Sequence, residues 1–242
     1  MNERGFLTVS LLIFMPLFMS ILAVIAGAFL LMKGDSSTRH ECRMRLLSVQ
    51  TEVASDLKKL LAMNQQAAIL RRRRLLAERA ALAAVEPASK TAAQAALLAV
   101  IVQQLAFGVQ QQALIIHGKW LSTSGPESAR AKIISTAQQT RPEPSANSLP
   151  VNTHTMVGAF HLIATPPGSP TPDYKPAPGF SRTQKMKVRW SLPVNRFLPA
   201  WFNQILDLDG IRTSAECSAT LEKENRKWHP KISKDKSLSS FW

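Results

Sequence analysis

From Phe6 to Met32 the chain runs 27 residues without a charged side chain. At about 1.5 Å per residue, a helix of that length is about 40 Å long, more than the roughly 30 Å hydrocarbon core of a bilayer requires. The stretch therefore reads as a membrane helix that spans with some tilt, and everything after Met32 has to fold from an anchored end. A cleaved secretory signal is the shorter alternative, with an apolar region of about 7 to 15 residues before a small-x-small site. Ala26-Gly27-Ala28 supplies such a site, but the apolar run continues through Phe29-Leu30-Leu31-Met32. An unprocessed signal anchor also fits the length, and on it the chain would be a cell-envelope scaffold whose Pro-rich segment crosses the wall.

The residues around the start of the stretch add positional detail. A polar leader, Met1-Asn2-Glu3-Arg4-Gly5, meets Phe6 directly, and Val9, Ser10 and Pro16 follow. This N-terminus resembles that of TadE/TadG-type pseudopilins of tight-adherence pilus systems, which carry Gly, then Val, an adjacent Glu, and a Pro about two turns later. The resemblance covers residues 1–32 of 242. It implies that a membrane-embedded prepilin peptidase cuts between Gly5 and Phe6 and that the apolar helix is retained. It also implies that Val9, Ser10 and Pro16 pack against other pilin-like subunits and the pilus assembly machinery. Ser10 departs from the family pattern. It stands where the family has a glutamate, thought to meet the free amine of a neighbouring subunit, and it has no charge for that role. The departure points to a minor subunit of a pilus or secretion machine rather than a repeated shaft subunit.

Charge bounds the partners. Thirty Lys and Arg against 16 Asp and Glu give a net charge of +14, so acidic surfaces are attracted over a Debye length. Anionic membrane lipids, acidic cell-wall polymers and nucleic acid all qualify. An aromatic content of 7% with a single Tyr disfavours a base-stacking surface, which makes nucleic acid the weakest of the three.

Topology sets two arguments against each other. Prepilin processing places the leader in the cytoplasm and the soluble part in the periplasm. The positive-inside rule favours the opposite, because Lys33, Arg39, Arg43 and Arg45 follow the span while only Arg4 and the amino terminus precede it. The leader carries the greater weight, since the Gly5-Phe6 junction and Pro16 are positioned features whereas the charge bias is a tendency. The two cysteines, Cys42 and Cys217, are compatible with one disulfide in an oxidising compartment and with two thiols in the cytosol.

The expected fold class is α+β: a single transmembrane helix over 6–32 behind a leader at 1–5, a helical hairpin over 36–118, a Pro-rich linker over 141–180, and a small β-containing module over 181–242. Ser36 to Glu86 contains no Gly or Pro, and Ser37 or Thr38 is positioned to cap a helix start. Leu46, Val49, Val53, Leu57 and Leu60 recur at heptad-like spacing, a seam for a partner helix. A turn at Glu86-Pro87-Ala88-Ser89 would return the chain into an Ala- and Gln-rich helix. The glutamines argue against a second span. Gly118 and Gly125-Pro126 punctuate its end, with a weaker helix over 127–139. The linker reads as extended and partly disordered around one strand-like island, Met156 to Ala164. Strands are expected at Lys185–Leu192 and Ile211–Leu221, and a short amphipathic helix at Leu198–Leu206.

No catalytic constellation emerges, so neither enzymatic activity, nor a cofactor, nor a metal is expected. His40, His117, His154, His161 and His229 are scattered, and no Walker A, GxGxxG or GxSxG motif occurs. Asp207-Leu208-Asp209-Gly210 lacks the downstream ligands of an EF-hand. Arg71, Arg72, Arg73 and Arg74 spread round a helix, either as a solvated face or as a contact for an anionic partner. Basic residues beside Trp190 and Trp228 admit the same two readings.

Overall fold

The computed structural model describes residues 3–139, 152–194, 211–225 and 227–233, with side chains from Phe14 onward and, in the second helix, through Thr136. Helix α1, Glu3–Ala83, is a single element of 81 residues, about 120 Å long. The expected break after Met32 is absent. Thr38 is buried, and its Oγ1 donates to the Gly34 carbonyl one turn back at 2.9 Å. Asp35 and Arg39 pair across the next turn at 2.8 Å. Both are interactions of a helix interior, so Ser37 and Thr38 do not cap a new helix. The uncharged stretch and the charged stretch that follows it form one continuous helix.

Helix α2, Pro87–Gln139, returns antiparallel along α1. The connection is Ala84–Glu86, slightly earlier than expected, because Pro87 suits a first helical turn where its missing N–H goes unused. Arg45 Nε donates to Ser128 Oγ at 2.7 Å, His117 Nδ1 lies 2.6 Å from Asp56, and Gln104 Nε2 donates to the Leu70 carbonyl at 3.3 Å. These pairs define one register that, extended, places Gln139 beside Gly34 and Asp35. The helix does not stop at Gly118. A Cβ on that residue would lie 2.9 Å from the Phe160 ring, and one on Gly125 would lie 2.7 Å from Val49. Those glycines are there for close packing rather than as stops, and the segment 127–139 is simply the helix's last turns.

Four strands form an antiparallel sheet in the order β1-β4-β5-β6. They are β1 (Asn152–Met156), β4 (Met186–Pro193), β5 (Arg212–Glu224) and β6 (Lys227–Ile232). A separate hairpin pairs β2 (Leu162–Thr165) with β3 (Asp173–Pro176), and a short helix α3 (Phe180–Thr183) precedes β4. The architecture is α+β. The strand-like island is split between β1 and β2, with 157–161 irregular. The amphipathic helix expected at 198–206 lies outside the described residues, as does the linker's first part.

The rest of the Pro-rich segment, from Asn152 to Phe180, is folded rather than extended and disordered. The helices supply the donors that proline cannot. Gln111 Nε2 donates to the Pro172 carbonyl at 3.1 Å, and Arg71 donates to the Thr171 carbonyl. Asn64 bonds both backbone groups of Tyr174: Nδ2 to its carbonyl and Oδ1 from its N–H, each at 2.9 Å. In effect the α1 side chain stands in for one residue of a neighbouring strand.

One core joins hairpin and strands. Cys42, Leu46, Val49, Val53 and Leu57 of α1 meet Leu121, Ala129 and Ile133 of α2 and the inward residues Met186, Val188, Trp190, Leu192, Cys217 and Leu221 of β4 and β5. The heptad-like seam therefore serves the sheet as well as the partner helix. Leu60 continues it into a smaller cluster with Ile115 and Tyr174.

Candidate assembly surface

Side chains of α1 are described from Phe14, and from there through Leu22 the apolar stretch is exposed on every face, with Ala23, Gly27 and Leu31 covered farther along. Phe14, Leu17, Phe18, Ile21, Leu22 and Ile25 are all exposed. A helix apolar all round its circumference needs lipid or protein to cover it. Gly5, Phe6, Val9 and Ser10 lie within the α1 backbone, and their side chains fall outside the described residues. Pro16 sits inside the helix. At the other end of the stretch, Val194 clusters with Ala23 and Leu31, so the end of β4 reaches down beside the last apolar turns. Among the described residues, two helices are long and apolar enough to cross a membrane. The most apolar window of the first has a mean hydropathy of 2.4 and that of the second, within Pro87–Thr136, 1.7.

Cys42 lies ten residues beyond Met32 and is joined to Cys217, in the middle of β5, with a Cα–Cα separation of 6.3 Å. Both are fully buried. The bond spans 175 residues of sequence and fastens the sheet to α1 ten residues beyond the end of the uncharged stretch. Among the described residues no three or more His, Cys, Asp or Glu are grouped to hold a metal ion.

The arginine run divides by helical face. Arg71 pairs with Asp173 at 2.7 Å, and Arg74 pairs with Glu78 at 2.7 Å and reaches Gln104 at 3.3 Å. Arg72 and Arg73 point to solvent. Half of the run is thus occupied in holding the β2–β3 hairpin and α2, and Arg72 and Arg73 are left exposed. The aromatic-basic pairing resolves similarly: Trp190 is 1% exposed in the core, and Trp228 packs edge-on to Phe180 at 5.1 Å. Of their basic neighbours, Lys187 and Arg189 lie on the face of β4 opposite Trp190 and both contact Glu216, at 2.6 and 3.2 Å. The hydrogen bond from Lys187, with Arg189 adding to it, holds the Glu216 carboxyl below the usual glutamate range against the opposing effect of its partial burial.

A second apolar surface escaped the sequence reading. On α2, Leu98, Val102, Leu105, Val109 and Ile116 are between 59% and 69% exposed, on the side away from the buried Gln104, Phe107, Gln111 and Ile115. The signal was present as spacings of four and three, but the glutamines between these residues masked it. Beside this stripe runs a groove walled by Gly108, Pro170, Pro172 and Tyr174. Burial raises the Tyr174 hydroxyl above the usual tyrosine range.

No protein-family model matches the chain, and neither a curated protein nor a solved structure is similar to it.

Proposed function

We propose that the chain is a non-enzymatic, single-pass structural subunit of pseudopilin type. It is a minor component in the assembly of a tight-adherence or type IV-related pilus or secretion machine, anchored by α1 with its N-terminus inside and its soluble half in the periplasm. The observation that carries the reading is the fully buried Cys42–Cys217 bond, placed just beyond a bare apolar helix. Such bonds persist in oxidising compartments and are rare in the cytosol. A rod that is bare in its first part and packed on a sheet in its second also suits a subunit that assembles through helix packing.

The apolar length of α2 has a different explanation from a second span. Its glutamines Gln104 and Gln111 are buried against protein carbonyls, and it lies along the stretch of α1 that carries Lys58, Lys59 and Arg71 to Arg74. A bilayer core would have to take in those cations with it.

The rival reading is a cytoplasmic basic domain on an inverted anchor, binding nucleic acid or the inner membrane surface. It draws on the cations after the span and on exposed Arg72 and Arg73. The flank is partly neutralised, since Arg39 is paired with Asp35. Mass spectrometry of the N-terminal peptide tests the pseudopilin reading: the mature chain is expected to begin at Phe6. A chain starting at Met1 or Asn2 in cells with active prepilin peptidase, or cleaved after Ala28, contradicts it.

A further inference from the structure

The exposed stripe on α2 has the residue pattern of a coiled-coil seam. From Leu98 the positions run Leu98, Val102, Leu105, Val109, Gln112, Ile116, at spacings of four, three, four, three and four. Val102, Val109 and Ile116 occupy one class of seam position, and Leu98 and Leu105 the other. β-Branched residues at the first class with leucine at the second favour parallel two-stranded coiled coils. Gln112 is the single polar member. Its Nε2 donates to the Tyr174 hydroxyl at 3.4 Å, so the groove wall partly satisfies it. Ala99, Ala106 and Ala113 flank the seam and let a second backbone come close.

Charge selects the occupant. From Thr91 to Gly118 there are 28 residues without Asp, Glu, Lys or Arg, in a chain of net charge +14. Two copies repel over most of their surfaces, and here they meet without that penalty. No charges flank the seam to specify a different partner. Height matches too. In the hairpin register the seam runs opposite α1 residues from about Leu57 to Leu75, about 40 to 65 Å beyond Met32 along one unbroken helix. Two copies anchored in one membrane therefore hold their seams level and parallel.

We infer that this face of α2 binds the same face of a second copy as a parallel two-stranded coiled coil, standing off the membrane. The parallel direction rests on the reading of α1 as the anchor. The pairing residues do not. Three heptads alone make a weak dimer, and confinement to one membrane supplies the effective concentration that completes it.

The test uses the full-length chain in its membrane, with Val102→Cys, Val109→Cys and Ile116→Cys made singly, Gln110→Cys as an exposed control off the seam, and the native chain as the blank. A short bismaleimide is expected to link each of the three seam variants to its own copy, doubling the mass, and to leave the control and blank monomeric. Val109→Asp, added to Val102→Cys, should abolish the link while helix content stays unchanged, because Val109 is exposed within one copy. Equal linking at Gln110 or no linking at the seam overturns the inference. So does linking at only one of the three sites, the mark of an antiparallel crossing, or a product with a different protein. Reaction of the seam cysteines with a lipid-phase maleimide would also overturn it, by placing the face on the bilayer. Carbonate extraction of the same membranes reports separately whether α1 anchors the chain.

Discussion

The carbonyl of Ser122 accepts a hydrogen bond from the backbone N–H of Gly158 at 3.2 Å. Within α2 that carbonyl would ordinarily pair with residue 126, which is proline and has no N–H. The chain entering from β1 thus fills the vacancy that Pro126 leaves, and the helix continues through a Gly-Pro pair. Gly158 is restricted to glycine at this crossing, since a Cβ there would lie 2.8 Å from the Gln184 carbonyl. Gly158→Ala is expected to cost about 1–3 kcal/mol as an overpacking defect, read as a lower denaturation midpoint with unchanged slope. No loss would mean that the crossing is looser than described.

Gly118 offers a test in which the sign reverses. In the native background Gly118→Ala should destabilise, because its Cβ would meet the Phe160 ring at 2.9 Å. With Phe160→Ala already present, which alone costs about 3–5 kcal/mol, the same change should stabilise by up to about 1 kcal/mol through helix propensity. A double-mutant cycle by thermal or chemical denaturation measures the coupling. Additivity would contradict it.

Asn64 is expected to govern the β2–β3 hairpin. Asn64→Leu removes both bonds to Tyr174 and should cost about 1–3 kcal/mol, with faster hydrogen exchange at the Tyr174 amide. Asn64→Asp keeps the acceptor for that amide and loses the donor to the carbonyl, so Tyr174 should stay protected while stability still falls. Equal exchange in both variants would remove Asn64 from this role.

Glu216 sets a pH dependence with a definite sign. Its carboxyl is held below the usual range in the folded state, chiefly by Lys187, so the folded chain favours the ionised form more than the unfolded chain does. The contribution is present above the unfolded glutamate value and is lost as pH falls through the lower folded one. Melting followed from neutral pH into the acid range should show a loss that Glu216→Gln flattens. An identical acid limb in both proteins would show that the Lys187 and Arg189 contacts carry no net stability.

The periodic parts of this fold were legible in sequence, and the parts that depend on distant donors were not. Leu46, Val49, Val53, Leu57 and Leu60 are all buried, because heptad spacing reports one helix face regardless of what covers it. The alternation of Lys185–Leu192 likewise located β4. The described part of the linker, from Asn152, departs from expectation because the nine prolines between 142 and 178 read as chain without hydrogen bonds of its own. Its carbonyls are instead met by Gln111, Arg71 and Asn64, from 61 to 110 residues away. Gly118 and Gly125 misled for a related reason: a glycine that ends a helix and one that admits a neighbour look alike in sequence. Of the arginine run, the statement that four consecutive residues cannot share one face was legible; the partners of Arg71 and Arg74 were not.

The most direct measurement of the central claim is thiol alkylation of Cys42 and Cys217 in intact cells, with and without prior reduction. Both sulfurs are buried in the common core, so labelling is done after rapid denaturation in acid. In an oxidising periplasm the two residues should resist the reagent until a reductant is added. Reduction should also lower the melting temperature, since a bond closing 175 residues is worth about 5 kcal/mol in the chain-entropy model. Full labelling of both cysteines without reductant would place the soluble half in the cytosol and contradict the pseudopilin account.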